Sequence, residues 1–127
     1  MTPDWLNDIV QAFGRQMGLQ EFRLRDNGAA GVTFENGLSL RFEYAAETLV
    51  MSMGVAVTPT DAIVKNLLQL AHPSAQQAVG VRAGYLKRTG EAFLAVRLLE
   101  RDVTVTTLEA VFRQLWSQVD RLRRVAS

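Results

Sequence analysis

From Val32 to Val57, apolar and polar side chains alternate almost without a break. That alternation commits this part of the chain to half-buried strands, because successive strand residues point to opposite faces. Val32 and Phe34 alternate with Thr33 and Glu35; Leu38, Leu40, Phe42 and Tyr44 alternate with Ser39, Arg41 and Glu43. Asn36-Gly37 lies between the two runs, and both residues tolerate the positive φ of a tight hairpin. After Ala45-Ala46-Glu47, Leu49, Met51, Met53, Val55 and Val57 fall on one side and Val50, Ser52, Gly54 and Ala56 on the other. The second, smaller side invites close approach by another element, such as a helix. Phe22 and Leu24, alternating with Arg23 and Arg25 ahead of the turn Asp26-Asn27-Gly28, read as a further short strand. Residues 81–87 and 92–99 read as a second hairpin across Thr89-Gly90.

Helical periodicity occupies the rest. Trp5, Leu6, Ile9, Val10, Phe13 and Met17 make one apolar face of a first helix, with Thr2 as its cap, Pro3 at its first position and Gly18 at its end. Thr58-Pro59-Thr60-Asp61 opens a second helix with Thr58 as cap. Its buried stripe is Ile63, Val64, Leu67, Leu68 and Ala71, and it stops at His72-Pro73. Thr106-Thr107-Leu108-Glu109 reads as a capping box for the last helix. Its stripe is Leu108, Val111, Phe112, Leu115, Trp116, Val119 and Leu122. The order α-β-β-β-α-β-β-α predicts an α+β fold with an antiparallel twisted sheet and helices packed on it. At 127 residues the chain, 1–127, is one domain.

Composition removes most catalytic chemistry. There is no cysteine and one histidine, which excludes disulfides, thiolate sites and a paired-histidine relay within one chain. No dinucleotide fingerprint or phosphate-binding loop is present; Gly80 and Gly84 read as turn or bulge glycines. Asp4 and Asp8 share a helix face near a favourable dipole end, and His72 reads as a helix cap. No metal, cofactor or catalytic residue is expected. The chain carries 14 basic and 13 acidic residues, a net charge of +1, which argues against a dedicated nucleic-acid binder. The charge is uneven: residues 1–81 hold 8 acids and 5 bases, residues 82–127 hold 5 acids and 9 bases. No run is apolar enough for membrane insertion and no secretory signal is visible, so the cytoplasm is the expected location.

Taken over residues 4–124, the chain resembles the class I effector chaperones of bacterial type III secretion, the Tir-chaperone type. The resemblance lies in the opening "WLNDIVQAFGRQMGL", the meander "GVTFENGLSLRFEYAAETLVMSMGVAV", the short helix "TDAIVKNLLQLA" and the closing "GEAFLAVRLLERDVTVTTLEAVFRQLWSQVDRLR". Most specific is the end, where Arg97-Leu98-Leu99 is followed by a short link and a Thr-capped helix with a central Trp. The resemblance implies a non-enzymatic homodimer that holds the extended N-terminal segment of a secreted effector and keeps it competent for secretion. It implies an effector groove of Trp5, Ile9, Phe13, Phe34, Leu40 and Phe42. It also implies a dimer seam of Ile63, Leu67 and Leu70 with Val81, Ala83 and Tyr85. The chain departs from the generally acidic family in being near neutral.

Three other readings compete. One is a small α+β ligand-binding domain or enzyme, for which Arg41, Glu43, Tyr44 and Tyr85 are the polar candidates. A second is a chaperone-like protein that sequesters a transcriptional regulator. The third is a nucleic-acid-binding regulator using the basic last helix with Arg121, Arg123 and Arg124.

Overall fold

A computed structural model describes residues 2–71 and 81–126, with nothing stated for the side chain of Ala71. The elements follow the expected order: α1 (Asp4–Gln16), β1 (Ala29–Thr33), β2 (Ser39–Ala45), β3 (Thr48–Ala56), α2 (Asp61–Ala71), β4 (Val81–Leu86), β5 (Glu91–Leu99) and α3 (Val105–Ala126). A 3-10 turn, Glu100–Asp102, joins β5 to α3. The strands form one antiparallel sheet in the order β1-β2-β3-β5-β4.

The alternation works as the pattern demands. Leu40 and Phe42 of β2, Leu49, Met51 and Met53 of β3, and Ala92 and Leu94 of β5 are fully buried on the inward face. Leu6, Val10 and Phe13 of α1, and Leu108, Leu115, Val119 and Leu122 of α3, are buried with them. Each large side chain so placed stabilises the fold by about 1.5–3 kcal/mol. The rings of Phe13, Phe22 and Phe42 meet at 5.1–6.2 Å, tying α1 to β2. Gly14 permits this: a Cβ there would lie 2.8 Å from that of Phe22. At the end of α1, the Leu19 N–H donates to the Gly14 carbonyl at 2.7 Å and the Gly18 N–H to the Arg15 carbonyl at 3.1 Å. With Gly18 at φ +74°, this is a complete Schellman ending.

Several local expectations shift. The Phe22–Leu24 segment is extended but is not a strand. The Asn7 side chain takes the place of a neighbouring strand, accepting the Leu24 N–H at 3.0 Å and donating to the Leu24 carbonyl at 3.4 Å. Helix α1 begins after Pro3 with no side-chain cap, so Thr2 does not cap it. The α2 cap is Thr60, whose hydroxyl accepts the Ile63 N–H at 3.3 Å, in place of Thr58. The α3 cap is Thr104, accepting the Thr107 N–H at 3.0 Å, in place of Thr106. The expected α2 stripe is also rotated. Ile63, Leu67 and Leu70 are buried, whereas Val64 and Leu68 are 47% and 69% exposed. Helix α2 packs against both α3 and β4, and that seat favours the 63, 67, 70 row. The small side of β3 is met by a side chain, not a helix: Glu91 of β5 lies across Gly54. The expected roles of His72 and Gly80 fall outside the described residues.

Candidate functional site: apolar surfaces of the helices

The polar candidates do not converge. Arg41 and Glu43 lie on the outward face of β2, while Tyr44 faces the other way. Arg41 forks onto Glu91, with Nη1 to Oε1 at 2.7 Å and Nη2 to Oε2 at 3.4 Å. The Tyr44 hydroxyl donates to Glu100 at 2.5 Å, and that bond pushes its pKa up to about 12. Tyr85 donates to the Val57 carbonyl at 3.2 Å. These groups brace neighbouring elements and leave no shared reacting point. Among the described residues no cluster of three or more His, Cys, Asp or Glu side chains could hold a metal. Asp4 and Asp8 are both exposed.

The residues expected to line a groove divide into two sets. Phe13, Leu40 and Phe42 are fully buried, because their side chains point inward into the core beneath α1 and α3. They support a surface from below and do not line one. Trp5 is 45% exposed on α1, Ile9 is half-buried on the same helix, and Phe34 is half-buried just beyond β1. The sequence reading missed two further members, Phe112 and Trp116 of α3, which were read only as core. The Phe34 ring meets that of Trp116 edge-on at 5.1 Å, and Phe112 meets Trp116 at 5.6 Å and Phe13 at 5.9 Å. This chain of rings runs from the core to the surface. Its signal in sequence is the i, i+4 spacing of Phe112 and Trp116 beside a stripe already complete without them.

The residues expected at a dimer seam also lie differently. Ile63, Leu67, Leu70 and Val81 are buried within the protomer, at 1%, 7%, 8% and 3% exposure, so a second copy would not reach them. Ala83 and Tyr85 are half-buried, packed on the core from β4. The apolar side chains that α2 leaves open are Val64 and Leu68, flanked by exposed Asp61 and Lys65.

The comparisons with known proteins agree with this architecture. One structure of the ExsC–ExsE complex contains a chain with 18% identity and a TM-score of 0.76, covering 96% of this chain and 93% of that one. The Yersinia pestis type III secretion chaperone SycH, in complex with a YscM2 fragment, gives 21% identity and a TM-score of 0.71, covering 92% and 98%. The HopA1–SchA chaperone–effector complex gives 17% identity and a TM-score of 0.68, covering 97% and 99%. At these identities the likeness shows the fold. No curated protein sequence matches. The family model described as type III secretory system chaperone SycN matches residues 5–122, nearly the whole chain. The family is one of chaperones and not of enzymes, and this chain belongs to it: it is a type III secretory system chaperone of the SycN family.

Proposed function

We propose that this chain works in the cytoplasm as a homodimer that binds the extended N-terminal segment of a secreted effector and keeps it soluble and competent for secretion. The observation that carries the reading is the open apolar surface made by Trp5 and Ile9 of α1 with Phe34 and Trp116. An extended segment binds such a surface through alternate side chains. The relatives support it, since SycH is described bound to YscM2 and SchA bound to the effector HopA1. Phe13, Leu40 and Phe42 hold the floor of the site.

Dimerisation uses the outward side of α2. Val64 and Leu68 are exposed apolar residues, and Asp61 and Lys65 supply opposite charges on the same side. Across a two-fold axis an antiparallel α2 pair brings each lysine toward the other copy's aspartate. Ala83 and Tyr85 extend the inward side of the neighbouring strand.

The test is co-expression with the effector encoded beside this gene. The wild-type chain should co-purify with it in fixed stoichiometry, and Trp5→Asp with Ile9→Asp should abolish capture while leaving a folded dimer. Leu68→Asp should convert the dimer to a monomer in light scattering. A wild-type chain that is monomeric and ignores effector N-termini overturns the reading.

A further inference from the structure

The outward face of the β4–β5 hairpin is a second surface, remote from the inward side on which α1 and α3 pack. Register places Arg82 beside Ala95, Gly84 beside Phe93 and Leu86 beside Glu91. Phe93 leans over Gly84, where a Cβ would lie 2.5 Å from its ring. Phe93, Ala95 and Leu86 thus form an apolar strip, with Leu86 42% exposed. Arg82 and Arg97 stand at one end of this strip, and Lys87 and Arg88 at the other. All four are exposed. Among the described residues none of the four makes an ion pair. At about 3.3 Å per strand residue, the two cationic ends are separated by roughly 13 Å.

Glu91 is the hairpin's one acid, and it does not neutralise these cations. Its carboxylate turns away to Arg41 on β2 and is 10% exposed. The face is therefore apolar in the middle and cationic at both ends. A two-fold contact through it would set each cationic end against cations of a second copy, which disfavours self-association here. Val64 and Leu68 offer a contact without that conflict. Phosphate chains would gain from the cations but nothing from Phe93, Ala95 and Leu86, and the net charge is only +1.

We infer that the outward face of β4–β5 docks an acidic protein segment whose apolar residues lie on Phe93, Ala95 and Leu86 and whose flanking carboxylates meet Arg82 and Arg97 at one end and Lys87 and Arg88 at the other. This site is independent of the effector surface on α1 and α3. It gives the chain a second partner, held by salt-sensitive contacts.

The test uses the full chain and an acetylated ten-residue peptide with two carboxylates at each end and leucine and phenylalanine between. Amide shifts are followed by NMR at 50 mM salt. Shifts should centre on residues 82–97, and raising salt to 300 mM should weaken binding, because exposed charge pairs are screened. Arg82→Gln with Arg97→Gln should weaken it at least about threefold, in line with the loss of two exposed pairs. Leu86→Ser should also weaken it with the charges intact. The inference is overturned by any of four results: no shift on this face at millimolar peptide, equal binding of a lysine-for-acid peptide, equal binding of an acidic peptide lacking apolar residues, or tighter binding of duplex DNA or phosphatidylserine vesicles. Loss of effector capture by Trp5→Asp leaves it untouched, so the two readings fail separately.

Discussion

Glu91 of β5 reaches over Gly54 of β3 and holds Arg41 of β2 at 2.7 Å, so one ion pair spans three strands. The glycine is what makes room: a Cβ at position 54 would lie 2.6 Å from the Glu91 carboxyl carbon. Gly54→Ala should push Glu91 off Arg41 and destabilise the fold by about 1–3 kcal/mol. Pairing it with Glu91→Ala should recover part of that loss, and urea denaturation of the four-member cycle measures the coupling. Additive losses would show that the glycine and the ion pair are unrelated.

The β2–β3 hairpin turns through Ala46 and Glu47 at φ +50° and +60°, a left-handed pair that glycine and asparagine occupy more comfortably. Glu47→Gly should therefore stabilise the protein by about 1 kcal/mol, and raise the thermal midpoint by about 4 °C. A lowered midpoint would mean that the Glu47 side chain contributes more than its backbone costs.

Tyr44 keeps its proton to about pH 12 because its hydroxyl is bonded to Glu100. The folded protein then holds a proton that the unfolded chain has released above pH 10, so this bond stabilises the fold fully below pH 10 and progressively less between pH 10 and 12. Absorbance at 295 nm should show a tyrosine step near pH 12 in the wild type. That step should be absent from Tyr44→Phe, whose stability should also fall less steeply over the same interval.

Two threonines compete for the start of α3, and the bond from the Thr107 N–H goes to Thr104 at 3.0 Å. Thr104→Ala should cost about 1 kcal/mol in chemical denaturation. Thr106→Ala should fall within about 0.5 kcal/mol of wild type. The reverse order would restore Thr106 as the cap.

The periodic parts of the molecule were legible from residues alone. The Leu38–Tyr44 and Leu49–Val57 alternations and the 108–122 stripe each contain enough repeats to fix a face, and every element from α1 to α3 follows the expected order. What sequence blurred was the choice between adjacent, chemically similar residues. Thr104 and Thr106, or Thr58 and Thr60, offer the same hydroxyl, and only the backbone path decides which meets an N–H. On α2, Val64 and Leu68 look as core-like as Ile63 and Leu67, and the difference arises from where α3 and β4 sit. Phe42 and Leu40 were expected on a groove because the strand face was known but its cover was not; Phe112 and Trp116 were missed for the converse reason. The reach of Glu91 to Arg41 joins positions 50 residues apart and leaves no local pattern.

Strands β3 and β5 are neighbours, yet the chain leaves one at Ala56 and enters the other at Glu91, and α2 and β4 are made within that excursion. Closing a flexible loop twice as long costs only about 0.6 kcal/mol more. The detour can therefore lengthen, shorten or change its exposed residues at little thermodynamic cost, while α1, α3 and the three strands β1 to β3 keep their packing. The helix that carries Val64 and Leu68 is free to drift in sequence separately from the helices that carry Trp5 and Trp116, so self-recognition and cargo choice can diverge at different rates in one small domain.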